Sequence, residues 1–138
     1  PSYEAPAAFI AAPVFQNGRK VGVVAMQMPV GRINAVMQGS EGLGKTGETY
    51  LVGADLLMRS QSRLTDTPTL LARKVETPAT TAVVTGKDGT GVYTGPRGVE
   101  VLGAWEPLTI AGLTWGLVAE IDADEALVGV AHLTRKTV

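Results

Sequence analysis

Five consecutive polar residues, Arg59, Ser60, Gln61, Ser62 and Arg63, close an otherwise apolar stretch. In an extended segment successive side chains alternate, so Arg59, Gln61 and Arg63 share one face and Ser60 and Ser62 the other. Two guanidiniums on one face can hold a carboxylate bidentately, a chemistry suited to a small organic acid or an amino acid. A solvated strand edge has the same pattern. Further along, Tyr93, Trp105 and Glu106 lie in β-rich sequence where rings can line a pocket and offer a polar edge. Alternation places Trp105 with Val101 and Gly103 on an inward face. Core packing is the competing role for Tyr93 and Trp105, and the preferred one for Trp115.

Gly39 to Thr46 satisfies the phosphate-loop pattern G-x-x-x-x-G-K-[ST] letter for letter. Its context is wrong. Such a loop needs a strand leading in and a helix N-terminus receiving the phosphate, whereas here helical spacing precedes the glycines and a strand follows them. Catalytic groups are scarce: the chain has one histidine, His132, and no cysteine, which removes thiol dyads and imidazole metal clusters. Asp122, Asp124 and Glu125 suit helix capping, and Asp55 and Asp66 suit turns. The reading is of a protein that is not an enzyme and calls for no cofactor or metal.

The elements that must position these residues are legible in the punctuation. Residues 7–14 and 19–28 are apolar runs around Asn17 and Gly18, a hairpin signal. Pro29 ends the second run, and Ile33, Val36 and Met37 space a short helix over Arg32 to Gln38. Glu48 to Gly53 and Leu56 to Ser60 form a second hairpin around Ala54 and Asp55. Two short helices are expected from Pro68 and Pro78, each placed for a first helical position. A meander follows over 91–94, 99–108 and 114–121, and Asp122 opens a terminal helix with Arg135 and Lys136 near its end. Helix, strands, helices, strands is the order of an α+β module, with one antiparallel sheet of about five strands, short helices on one face and a C-terminal helix.

Bulk properties agree with one folded module. The 138 residues are 45% hydrophobic and 18% charged, and 12 basic against 13 acidic residues leave a net charge of -1. That balance gives no field for nucleic acid or anionic lipid. No uninterrupted apolar stretch is long enough to span a bilayer. The start at Pro1 reads as that of a segment from a longer polypeptide, with any membrane anchor in flanking sequence.

Residues 43–63 resemble the opening hairpin of Cache domains, the extracytoplasmic PAS-like sensor modules of bacterial receptors such as methyl-accepting chemotaxis proteins. Residues 1–15, 21–29, 32–37 and 101–121 resemble further blocks of the same family, in particular the membrane-proximal half of double Cache domains. The resemblance implies that residues 1–29 are closing strands of a preceding membrane-distal module and that 30–138 form the proximal module with its signalling helix; the alternative is that the hairpin joins the same sheet. It implies a periplasmic or extracellular location and a small-molecule ligand, a carboxylate or amino acid, held by Arg59, Ser60, Ser62, Arg63, Tyr93 and Trp105. In this family the Arg-Ser-x-Ser-Arg run either touches ligand or braces the helix above it. The other implied role is a relay without ligand that dimerises through its helices. Two departures stand out: Leu56 replaces the usual glycine, and the segment from Arg63 to Gly86 is short. With the phosphate-loop match rejected, millimolar Mg-ATP is expected to leave the melting temperature unchanged, and a rise in a thermal-shift assay would reinstate it.

Overall fold

Asn17 and Gly18 both adopt positive φ, 51° and 73°, the backbone that a two-residue type I′ hairpin turn requires. They fold β1 (Ala8–Gln16) onto β2 (Arg19–Met28) in a computed structural model that describes residues 6–128. This hairpin is a two-stranded sheet of its own. His132, Arg135 and Lys136 lie outside the described residues.

Past Pro29, α1 (Val30–Met37) begins two residues before the expected Arg32 and leads to the glycine-rich loop. The main sheet comprises β3 (Glu48–Val52), β4 (Gly89–Thr94), β5 (Glu100–Ile110) and β6 (Leu113–Asp122) in the order β3-β6-β5-β4, antiparallel throughout. Ala111 and Gly112, with φ of 49° and 80°, make the second tight turn. The first strand therefore lies beside the last, with Tyr50 opposite Val118. One face of this sheet carries Tyr50, Val52, Val118, Val101 and Tyr93, which pack with Met58, Val75, Ala79 and Val83 into the buried core. Val83 and Ala79 come from α2 (Pro78–Val83), whose start at Thr77 and Pro78 was expected. Its capping box is complete: the Thr80 amide donates to the Thr77 hydroxyl at 3.2 Å and the Thr77 amide to the Thr80 hydroxyl at 2.9 Å, satisfying two donors that a helix start otherwise leaves orphaned. The α+β architecture thus stands.

Two local expectations need correction. The strand over Leu56 to Ser60 is reduced to the single bridges Val52–Met58 and Leu57–Lys74, so the main sheet has four strands. Leu56 sits at φ 64°, the left-handed region that glycine would occupy without cost. Beyond it the backbone splits its bonds: Arg59 donates to the Leu51 carbonyl at 2.7 Å, while Met58 donates to the Arg73 carbonyl at 3.0 Å. The second correction is at Pro68, where no helix forms. The Leu71 amide, which a helix from Pro68 would direct to the Thr67 carbonyl, donates to the Met58 carbonyl at 2.8 Å, and the Thr67 carbonyl accepts from the Gln61 side-chain amide at 3.0 Å.

Met58 is 1% exposed and joins the interrupted strand to the core. Met58→Ala is expected to lower the unfolding free energy by about 2–5 kcal/mol, measured by urea denaturation; a loss well below that range would mean that the segment collapses onto the cavity.

Candidate functional site

The alternation expected of residues 59–63 persists without a regular strand. Ser60 and Ser62 point inward and are buried, while Arg59, Gln61 and Arg63 are half-buried. Each residue is tied to a different neighbour. The Ser60 hydroxyl accepts from the Leu51 amide at 3.1 Å, filling a place in the β3 ladder. The Ser62 hydroxyl donates to Glu48 at 2.5 Å, and its amide donates to the Thr69 hydroxyl at 2.8 Å. The Gln61 amide donates to the side-chain carbonyl of Asn34 on α1 at 2.8 Å, so the run does brace the helix.

The two guanidiniums diverge. Arg59 pairs with Asp55 at 2.9 Å and donates to the Leu57 carbonyl at 2.9 Å. Its hydrogen bond is the main influence holding the Asp55 carboxyl below its usual range. Gly53 lies so close beneath that a Cβ there would collide with this guanidinium. Arg63 instead donates to the carbonyls of Gly47 and Gly44, at 2.6 and 2.9 Å. With separate partners, the pair does not form the shared bidentate grip that alternation alone suggested.

Tyr93 and Trp105 are brought together on the inward face of the sheet. Their rings meet edge to face with centroids 5.8 Å apart, a favourable aromatic geometry. Glycines make room: a Cβ at Gly89 would strike the Trp105 ring and one at Gly103 the Tyr93 ring. The indole Nε1 of Trp105 is the one buried side-chain nitrogen or oxygen among the described residues without a hydrogen-bond partner. Glu106 falls on the opposite, exposed side, as its place after Trp105 dictates; Trp115 is half-buried, beside the cleft described below.

Beneath Tyr93 lies a group that the sequence reading did not single out. Glu120 Oε1 accepts from the hydroxyls of both Tyr50 and Tyr93 at 2.7 Å. Directly opposite it in the β3–β6 pairing stands Glu48, and both acids are buried. Burial pushes the Glu120 carboxyl up, the two phenols pull it down, and the Glu48 charge adds to the rise. Burial, and next to it the neighbouring Glu120, also drive the Tyr50 hydroxyl up; Tyr93 responds likewise. Both phenols remain donors at any ordinary pH. A signal was available: Glu48 shares parity with Tyr50 and Val52, and Glu120 with Val118, so each acid occupies an inward position of an apolar strand.

A cleft of about 740 Å³ opens between the hairpin and the β5–β6 turn, lined by Phe9, Ile10, Met28, Ile33, Leu113 and Trp115, with Arg59 and Asp55 on its wall. Among the described residues no helix is long and apolar enough to cross a membrane.

No family model matches the chain, and no curated protein matches it. Solved structures share its fold. The ligand-binding domain of the Pseudomonas aeruginosa PAO1 amino acid chemoreceptor PctB, in complex with L-Arg, is similar with a TM-score of 0.61 and 18% identity, covering 94% of this chain and 49% of that one. The periplasmic sensory domain of the Campylobacter jejuni chemoreceptor Tlp1 is similar with a TM-score of 0.67 and 18% identity, over 85% of this chain and 43% of that one. For the ligand-binding domain of the Pseudomonas fluorescens chemoreceptor CtaA in complex with L-alanine the values are 0.57 and 17%, over 88% and 50%. The chain therefore spans about half the length of the sensory domains it matches. At these identities the likeness is one of fold, and it is the Cache fold of periplasmic sensory domains that the sequence resemblance implied.

A carboxyl raised by burial binds its proton more tightly in the folded than in the unfolded chain. Its stabilising contribution is fully present below the ordinary value of 4.5 and is lost as pH rises through the folded value. Chemical denaturation of wild type and Glu120→Gln across that window is expected to show the wild type losing stability relative to the variant as pH rises; a pH-independent difference would contradict the buried charge.

Proposed function

We propose that this chain is the membrane-proximal half of an extracytoplasmic sensor domain of a bacterial transmembrane receptor, of the chemoreceptor kind, and that its work is to relay a conformational shift to a cytoplasmic output domain. The observation that carries this reading is the filled inward face. In a PAS-like module a ligand would lie between the sheet and the segment above it, and here that space is occupied by Tyr50, Met58, Val75, Val83 and Tyr93. A packed and internally bonded module moves as a body, which suits transmission of a two-state shift.

The hairpin fits the same reading. Phe9 and Val23 on one of its faces, and Val24 and Met26 on the other, are each more than half exposed. A two-stranded ribbon is at best marginal by itself, and one that is apolar on both faces belongs between layers. Residues 1–29 are accordingly assigned to a preceding membrane-distal module and 30–138 to the proximal one. The matched domains, about twice as long as this chain, have room for that second module.

A second reading is favoured by the unpartnered Trp105 Nε1: this half itself takes a small carboxylate or amino acid, whose oxygen would accept from the indole beside Tyr93. A buried donor without a partner costs about 1–3 kcal/mol, so an acceptor there is welcome. Arg59, on the cleft wall, and Ser60, Ser62 and Arg63 would then hold the surrounding segment in place.

One screen separates the two. If this half binds ligand, some short carboxylate or amino acid well above its dissociation constant is expected to raise the melting temperature by about 3 °C or more. It should also quench tryptophan fluorescence in the wild type but not in Trp105→Phe. If the relay reading holds, no compound shifts the isolated chain, while a chain carrying the preceding module does respond. Absence of response in the longer chain as well would remove the sensory reading, and self-association would then favour a homodimerisation role.

A further inference from the structure

The loop that imitates a phosphate-binding sequence holds an anion after all, and the anion is part of the chain. The backbone amides of Lys45 and Thr46 donate to the two carboxylate oxygens of Glu125 at 2.7 and 2.8 Å. The Thr46 hydroxyl donates to the same carboxylate and accepts from the Asp122 amide at 3.2 Å. Gly44, at φ 63°, lies against Glu125 so closely that any Cβ would collide with the carboxylate. Successive amides aimed at one point form an anion-binding concavity, and here it receives a side chain 79 residues further along.

Glu125 stands in the first turn of the terminal helix, whose described residues are 123–128. The residue before that helix, Asp122, pairs through its side chain with Arg97. The helix start is therefore tied to the glycine-rich loop and to the β4–β5 turn at once. From the other side the loop is held by Arg63, through the carbonyls of Gly44 and Gly47. Arg63 in turn follows Ser62, which is bonded to Glu48 and Thr69.

We propose that the loop 42–47 is a clamp between Arg63 and Glu125, so that displacement of the segment 59–69 is passed to the terminal helix. This rests on the relay reading and names its mechanical joint. The loop transmits because both grips meet on one peptide unit: Arg63 holds the Gly44 carbonyl, and the adjoining Lys45 amide, in the same peptide plane, holds Glu125. A shift of the guanidinium therefore tilts the donor that positions the helix. The hydrogen bonds from Thr46 and Lys45 also hold the Glu125 carboxyl below its usual range, so the clamp is closed at neutral pH.

Amide hydrogen exchange, followed residue by residue in NMR spectra of this chain, tests the joint. In Glu125→Ala the amides of Lys45 and Thr46 are expected to exchange about 10-fold faster or more. Removing a negative charge from the first turn weakens the helix start on its own account, so exchange at 126–128 is read from the Arg63 variant. In Arg63→Ala the amides of Lys45, Thr46 and 126–128 are all expected to accelerate, while the Arg59 amide, bonded to Leu51, keeps its wild-type rate and reports an intact fold. Should Arg63→Ala release the Arg59 amide too, Arg63→Lys is read in its place. The clamp is overturned if Lys45 and Thr46 stay protected without Glu125, or if the Arg63 variant leaves 126–128 unchanged. Neither result touches the receptor assignment, which the ligand screen decides separately.

Discussion

A segment without regular structure must still satisfy every backbone polar group it buries, and residues 59–69 meet that demand with side chains. Ser60 completes the edge of β3, Ser62 and Thr69 bond each other across the loop, and the Gln61 side chain bonds the carbonyls of Thr65 and Thr67. Each such bond contributes only about 1 kcal/mol net, whereas each group left unpaired costs about 1–3 kcal/mol. The polar run is therefore a keystone: remove its partners and β3, α1 and the glycine-rich loop lose their common support.

The same economy governs the inward face of the main sheet. Glu48 and Glu120 stand opposite one another in a layer otherwise made of Tyr50, Val52, Val101 and Val118. They are tolerated because hydroxyls reach them, Ser62 for the one and Tyr50 and Tyr93 for the other. Burial and the facing charge work against Glu120 in its ionised form, and the phenol hydrogen bonds offset that cost. The glycines at 89 and 103 belong to the same solution, giving the rings of Trp105 and Tyr93 room against the sheet.

Local signals predicted the turns well. Asn17–Gly18, Ala111–Gly112 and Thr77–Pro78 each specify backbone geometry through their own covalent structure, and each element they introduce is present. Pro68 failed as a helix signal because the Leu71 amide, the donor for its first helical bond, goes to the Met58 carbonyl. Leu56 to Ser60 failed as a strand because its hydrogen bonds go alternately to β3 and to residues 71–75, which no spacing along the chain records. Among candidate site residues, inward and outward positions were legible from alternation; partners were not. Arg59 and Arg63 were placed on one face correctly and still reach Asp55 and the glycine-rich loop respectively.

By itself the sequence determined the α+β order of elements, the two tight turns, the inward and outward parity in the main sheet and the lack of a thiol. Those properties are local, set by covalent geometry and by side-chain type. Only the tertiary structure decided that the hairpin stands apart from the main sheet, that Glu120 gathers two phenols, and that Glu125 fills the loop which looked built for phosphate. Each of these depends on groups separated by tens of residues meeting at hydrogen-bond distance, and the free energy of such a meeting belongs to the packing of the whole chain.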